Sequence, residues 1–332
     1  MSSMEQKSRT YHSDEESKSI PEAVKKEILK LNLQINSFNT NDLVTQLQKC
    51  HLSTDGKPDI LRKRLKNHYR NKKLATHNIL SIRKLFPYYV IMDFEATCTE
   101  NNPYDYPHEI IEFPAVLVNT EKMMISDHFQ SYVKPVINSK LSEFCIKLTG
   151  ITQEMVDNAG EFPDVLEQFE AWLKHHKLGT RNKYVVVTDG PWDMRRFLFG
   201  QCKISGIPFP HFGKKWVNIA KLFSSSYKCK RMRLQLMLER LGLEFEGRPH
   251  CGLDDATNIA RVLLQMINDG ISIEPNEEIH NNPHWHAKIK IPNNKSINKI
   301  SNDNFQDIES KNKEVPIMDQ HTKNNIATLS LP

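Results

Sequence analysis

The run Tyr88-Tyr89-Val90-Ile91-Met92 passes directly into Asp93-Phe94-Glu95, so a strand apolar enough to be buried on both faces ends in two carboxylates. Residues two apart on an extended chain point to the same side, which sends both groups into one pocket. Charges that close repel and are costly to bury, so they need a proton or a cation to stay there. A divalent metal is the simplest solution. A fold built on this strand must then bring further ligands from elsewhere in the chain.

With 332 residues and 39% hydrophobic side chains, the chain can form a core, but not along its whole length. Length alone suggests one large domain with a smaller companion. Residues 1–20 are polar and aperiodic, predict a disordered segment, and lack the basic and apolar regions of an export signal. The longest apolar runs fall well short of the roughly 20 residues that cross a bilayer, which argues against a membrane partner. Six cysteines stand singly with no C-x-x-C pair, the pattern of reduced thiols in cytoplasm or nucleus rather than of a disulfide framework.

The net charge of +5 is unevenly placed. Residues 1–85 hold 17 Lys/Arg against 9 Asp/Glu, residues 86–270 hold 21 against 23, and residues 271–332 hold 7 against 8. A basic front joined to a neutral body suggests a polyanion-binding module attached to something else. A short helix is expected from Pro21 to Ile35, a second from a Thr40 cap to about Gln48, and a third from Pro58 toward Arg70. Between Lys57 and Lys73 lie eight Lys/Arg and one Asp, and the spacing turns Arg62, Lys63, Arg64 and Lys66 away from the apolar stripe. Arg64, with Lys63 and Lys66 beside it, is the expected RNA contact.

After a linker over residues 73–86, residues 87–270 read as an α/β domain. Apolar runs at 88–94, 109–118 and 123–133 fit an antiparallel meander. Helical periods follow at 152–158 and 163–174, then the strand Tyr184 to Thr188, then helices at 192–205, 218–225, 233–241 and 252–268. Beyond Gly270 the composition shifts to Asn, Lys, Ser and Pro, and residues 271–332 predict a disordered tail in which the triplet His284-Trp285-His286 is a chance cluster.

Two further carboxylates sit where strands and helices meet. Asp193 follows the strand Tyr184 to Thr188 at a helix start, and Asp255 lies in the first turns of the helix opened by Pro249-His250-Cys251-Gly252. Taken singly, each would more often be a helix cap or a surface charge than a functional group. As a set, an oxygen-only group suits Mg²⁺ or Mn²⁺, and two such ions would clamp the attacking and leaving oxygens of a phosphodiester. His250, with an ordinary pKa near 6.5, can take a proton from water at neutral pH.

The order D-x-E, a distant Asp, then H-x-x-x-x-D resembles the DEDDh group of 3′ to 5′ exonucleases, whose domain has the ribonuclease H-like fold. The segments I-M-D-F-E-A-T-C, H-E-I-I-E-F-P, L-T-G-I-T, T-D-G-P-W-D-M, K-K-W-V-N-I and G-R-P-H-C-G-L-D-D-A-T-N-I-A-R are similar to its enhanced-RNAi branch, the histone mRNA 3′-end exonucleases of animals. The basic front, residues 35–72 with T-D-G-K-P-D-I-L-R-K-R-L, resembles the SAP module, a small helical nucleic-acid binder.

That resemblance implies a mixed sheet flanked by helices, preceded by the SAP-like module. It makes Asp93, Glu95, Asp193 and Asp255 ligands of two Mg²⁺, with Mn²⁺ as substitute, and His250 the general base with Glu95 orienting the water. Asp254 is then a cap or a support for the carboxylates. Glu95, Ala96 and His250 would touch the substrate, and Trp192 and Phe144 would stack on terminal bases. The implied reaction releases nucleoside 5′-monophosphates from RNA 3′ ends: the histone mRNA stem-loop, 5.8S rRNA and siRNA. The implied partners are the stem-loop-binding protein and the ribosome, with the protein shared between cytoplasm and nucleus. The residues leave two alternatives open, a DNA 3′ exonuclease and a catalytically silent RNA-binding protein.

Overall fold

In the computed structural model, residues 20–77, 79, 85–103 and 105–279 are described. The expected disordered segment lies, except for Ile20, outside the described residues. So do most of the tail, with its His284-Trp285-His286 triplet, and part of the linker. The described residues all belong to one compact unit.

The basic front folds as three helices, α1 (Glu22–Asn36), α2 (Thr40–Lys49) and α3 (Pro58–Thr76). Ile35, Leu43, Leu47, Leu61 and Leu65 bury against one another between them. Asn39 rather than Thr40 caps α2, accepting from the Asp42 N–H while the Asp42 carboxylate accepts from the Asn39 N–H. Pro58 starts α3, where its missing N–H costs nothing. Helix α3 runs beyond Arg70 and takes in the first residues of the expected linker, because Lys73 on its last turns meets Glu27 of α1 at 2.8 Å.

The larger domain is a mixed sheet. Strand β1 (Tyr88–Met92) pairs antiparallel with β3 (Ile110–Asn119), and β3 pairs antiparallel with β4 (Met124–Tyr132). After a break at Asp93-Phe94 the short β2 (Glu95–Ala96) resumes against β3 in the register β1 began. On its other edge β1 pairs parallel with β5 (Tyr184–Thr188), which pairs parallel with β6 (Lys215–Asn218). Burial on both faces explains why β1, β3 and β5 are almost continuously apolar.

Alternate residues serve the two faces. Tyr89, Ile91, Val187 and Val217 pack under α8 (Ile219–Tyr227), α9 (Leu234–Leu241) and α10 (Gly252–Asn268). Val90, Met92, Val186 and Trp216 pack against a Phe-rich layer that includes Phe113, Phe162 and Phe169. That layer contains α6 (Phe162–His175) and α7 (Phe199–Ile204), and the short α4 (Glu143–Thr149) and α5 (Gln153–Asp157) precede it. Residues 271–279, assigned above to the tail, are ordered instead. Ile271 and Ile273 are buried, the Tyr89 hydroxyl donates to the Ile273 carbonyl at 2.9 Å, and β7 (Glu277–Glu278) pairs with β6. Glu277 is fastened by Arg195 and Lys221.

Arg64 overturns an expectation. It is 3% exposed, and its Nε donates to Asp269 at 2.6 Å while Nη1 donates to the carbonyls of Ser53 and Asp55. The Tyr227 hydroxyl holds the other Asp269 oxygen at 2.6 Å, and Asn67 donates to the Asp269 carbonyl. Arg64 is therefore a buried link between α3 and the sheet domain rather than a phosphate contact. Position 64 sits next to the apolar stripe of Ile60, Leu61 and Leu65, and that stripe packs in part against the large domain. Arg240 paired with Asp59 and the Lys57 N–H donating to the Arg240 carbonyl extend the same contact.

Leaving one charge of a buried pair without its partner costs about 3–5 kcal/mol. Asp269→Ala should therefore lower unfolding stability by about that amount in a urea titration, with Tyr227→Phe costing less. A loss under about 1 kcal/mol for Asp269→Ala would show that Arg64 finds another acceptor.

Candidate active site

Asp93 occupies the break between β1 and β2, and Glu95 opens β2, so the D-x-E pair lies where the sheet edge loosens. Asp193 begins a π-helical turn, Asp193–Leu198, that leads into α7. Its Oδ1 accepts from the Phe94 N–H at 3.0 Å, which ties it to the residue between Asp93 and Glu95. Asp255 lies in the first turn of α10, where its Oδ2 accepts from the His250 N–H at 2.8 Å. Ligand atoms of Glu95, His250 and Asp255 all fall within 4.8 Å of one another.

The close approach of α10 to the sheet depends on Gly252. A Cβ there would stand 2.6 Å from the Asp93 carbonyl oxygen. The free N–H of Gly252 donates to Glu112 of β3 at 3.0 Å, so a carboxylate from the sheet satisfies the helix end where a capping side chain is lacking. Gln130 holds the other Glu112 oxygen.

The turn before α10 is pinned at a second point. The Arg248 guanidinium donates to the carbonyls of Thr149 at 2.9 Å, Leu148 at 2.8 Å and Lys147 at 3.2 Å, the unsatisfied C-terminal groups of α4. Gly150 caps α4 at φ 72°, and Arg248 fills the space a side chain there would need. Asp254 closes the turn from within by accepting from the Arg248 N–H. His250 itself sits at φ 62°, a left-handed conformation that this fastening sustains. The segments L-T-G-I and G-R-P-H-C-G, distant in sequence, thus meet to aim one imidazole.

Electrostatics set the protonation states. Burial first, then Asp193, Asp255, Glu95 and Asp189 hold Asp93 well above the usual carboxylate range. Burial, then Glu112, Asp255 and Asp193, do the same to Glu95. Burial pushes Asp193 and Asp255 each up to about 7 against the opposing hydrogen bonds from Phe94 and His250. His250 goes the other way: burial and the Arg248 cation lower its pKa, which leaves the ring neutral and able to accept a proton.

A fifth carboxylate, Asp189, belongs to this group. Burial raises it to about 6, and its Oδ1 has no hydrogen-bond partner among the described residues. Strand β5 runs parallel to β1 with Ile91 opposite Val187, Asp93 and Asp189 each follow two residues beyond that pair, and Asp189 is among the charges that raise Asp93. Buried oxygens that repel one another, one of them unpartnered, are a donor set that fits a hard divalent cation.

The residues expected to meet substrate are less uniformly placed. Ala96 is buried on β2 next to Glu95. Phe144 is half-buried on α4. Trp192 is half-buried beside Asp193, with Arg196 over its ring at 4.5 Å and Phe197 edge-on, so one face is already covered. Glu109 and His108 of the H-E-I-I-E segment are structural. Glu109 accepts from the N–H groups of Val136, Ile137 and Asn138, and His108 bonds the Thr97 carbonyl.

Comparison with known proteins agrees with this geometry. The exonuclease family model matches residues 90–263. The 3′-5′ exoribonuclease 1 of Rattus norvegicus is 46% identical over 271 residues, covering 81% of this chain and 79% of the relative. Among solved structures, a 3′-exonuclease in 3′-end specific recognition of the histone mRNA stem-loop is 47% identical, with TM-score 0.60, covering 79% of this chain and 91% of that one. The nuclease domain of 3′hExo, a DEDDh family member bound to rAMP, is 52% identical, with TM-score 0.58, covering 58% of this chain and 98% of that one. The ribonuclease H-like domain and its dependence on divalent metal follow from this membership. With the D-x-E, Asp193, His250 and Asp255 gathered on that fold, the chain belongs to the DEDDh exonuclease family, in its 3′-5′ exoribonuclease branch.

Proposed function

We propose that the protein is a 3′-5′ exoribonuclease that removes nucleoside 5′-monophosphates from the 3′ ends of structured RNA, with Mg²⁺ as its metal. The observation that carries this reading is the shared pocket of Glu95, His250 and Asp255, backed by Asp93 and Asp193. Asp93, Glu95, Asp193 and Asp255 hold the ions, and an oxygen-only set favours Mg²⁺ or Mn²⁺ over zinc. Bound there, the metal supplies Lewis-acid stabilisation of charge on the phosphate oxygens. Neutral His250 takes the proton of the attacking water at its free ring nitrogen, and Glu95 orients that water. Arg248 ties the turn that carries His250 to the end of α4, and Asp255 accepts from the His250 backbone N–H.

Helices α1–α3 are the nucleic-acid module under this reading, SAP-like in function, with Lys63 and Lys66 rather than Arg64 facing phosphate. Trp192 or Phe144 holds the terminal base by its accessible face. Similarity to a 3′-exonuclease that recognises the histone mRNA stem-loop supports that RNA as a substrate. Processing of 5.8S rRNA and siRNA, contact with the stem-loop-binding protein and the ribosome, and a place in both cytoplasm and nucleus rest on the family alone. A DNA 3′ exonuclease is the competing reading, and matched RNA and DNA oligonucleotides separate the two.

An end-labelled stem-loop RNA with a single-stranded 3′ tail should be shortened from that end to 5′-monophosphates only with Mg²⁺. Asp193→Asn should abolish this while stem-loop binding persists, and unchanged turnover would overturn the assignment.

Arg248→Ala should lower kcat by about 10-fold or more with KM little changed, because general-base catalysis is worth about 10²–10⁴-fold and here depends on the aim of His250. A rise in KM alone would place Arg248 in substrate binding instead.

The raised carboxylates also make a stability forecast. A carboxyl group whose folded pKa exceeds its unfolded value favours the fold while protonated, and that contribution fades as pH rises. For Asp193 and Asp255 it is complete below about 3.8 and gone above about 7. Relative to melting in EDTA, Mg²⁺ should therefore raise the Tm more near pH 7.5 than near pH 5, with Asp193→Asn flattening the difference. Equal shifts at both pH values would mean the pocket does not hold the ion.

A further inference from the structure

Two cationic elements meet at the joint between the modules. Lys63 and Lys66 lie three residues apart on α3, on neighbouring turns, with Arg70 four residues further on, while Lys228 follows the last residue of α8 in the sheet domain. The buried Arg64–Asp269–Tyr227 link fixes their relation. Lys63 directly precedes Arg64, Lys228 directly follows Tyr227, and Arg64 and Tyr227 each bond one oxygen of Asp269 at 2.6 Å. Lys228 sits at φ 57° as the left-handed cap of α8, which turns the chain back at this point. Helices α3 and α8 are in direct contact.

Among the described residues, no ion pair is formed by Lys63, Lys66, Arg70 or Lys228, whereas Lys57, Lys73, Lys215 and Lys221 all have carboxylate partners. Lys66 has only a neutral acceptor, Asn36. Burial, then Lys228 and Arg70, lower the pKa of Lys63. Burial, then Arg62, Lys228 and Lys63, lower that of Lys66. Basic side chains that meet where α3 contacts α8, unpaired among the described residues, suit an external anion.

We infer that Lys228 of the sheet domain joins Lys63 and Lys66 of α3 in one composite phosphate site, which takes the sugar-phosphate backbone of duplex RNA across the joint between the modules. The inference rests on the exoribonuclease reading for its ligand class. It adds that the nuclease domain itself contacts the duplex and that the two modules grip it as one rigid body. Backbone contacts of this kind set orientation without reading sequence.

The test uses the full chain and a hairpin RNA with a 3′ tail, with affinity measured from low to moderate salt. Lys228→Gln and Lys63→Gln should each weaken hairpin binding and reduce the slope of log K against log salt by about 1. Lys228→Gln should leave Mg²⁺-dependent hydrolysis of a short single strand unchanged. A Lys228→Gln slope equal to wild type would overturn the inference, whether or not Lys63→Gln reduces it. Equal loss on the short single strand would also overturn it by placing Lys228 on the path of the tail. Failure of wild type to hydrolyse any RNA would defeat the proposed function while leaving the hairpin slopes to decide this site separately.

Discussion

Mutual repulsion among buried carboxylates governs the architecture around the pocket. Asp93, Glu95, Asp189, Asp193 and Asp255 are drawn from a strand end, a strand start, a second strand end and two helix starts, and burial alone would drive each toward its neutral form. The fold tolerates them because positive ends of peptide groups face them. The N–H of Phe94 serves Asp193, that of His250 serves Asp255, and that of Gly252 serves Glu112. These bonds position each oxygen but leave net charge behind. What remains is stored affinity for a divalent ion, so the stability lost by crowding the acids returns as metal binding.

The same economy explains why the supporting residues are as specific as the acids. His250 has a left-handed backbone, and three carbonyls at the end of α4 hold the turn before it through Arg248. Gly150 and Gly252 are small because other groups occupy the volume where their side chains would be. A substitution at either would displace Arg248 or the Asp93 backbone before it touched substrate. Precision at the imidazole is thus distributed over a loop, a helix end and a strand.

Much of this is legible in the linear order of residues, for a physical reason. Carboxylates at the ends of strongly apolar strands are anomalies against the hydrophobic pattern, so Asp93, Glu95 and Asp193 stand out, and α10 announces itself by strict helical periodicity from Gly252 to Asn268. Asp189 escapes notice because its meaning depends on a parallel register between strands almost a hundred residues apart. Strands β6 and β7 escape because four and two residues carry too little alternation to register. The ordered stretch 271–279 escapes for another reason. It is polar in composition, yet two isoleucines at alternate positions are enough to seat it against Tyr89.

Arg64 shows where pattern reading fails. Four cations in five residues on α3 look alike by charge and spacing, but burial sorts them. A helix that packs on both its own module and a second domain has two apolar faces, and the residue between those faces has no path to solvent. Arginine can occupy such a place, because its guanidinium divides its donors among Asp269, Ser53 and Asp55. The cation that a linear reading assigns to phosphate therefore organises the surface instead of forming it. By locking α3 to the end of α8, it brings Lys63 and Lys66 to the same joint as Lys228, and the proposed phosphate site draws on a charge run of one helix and a helix end of the second domain.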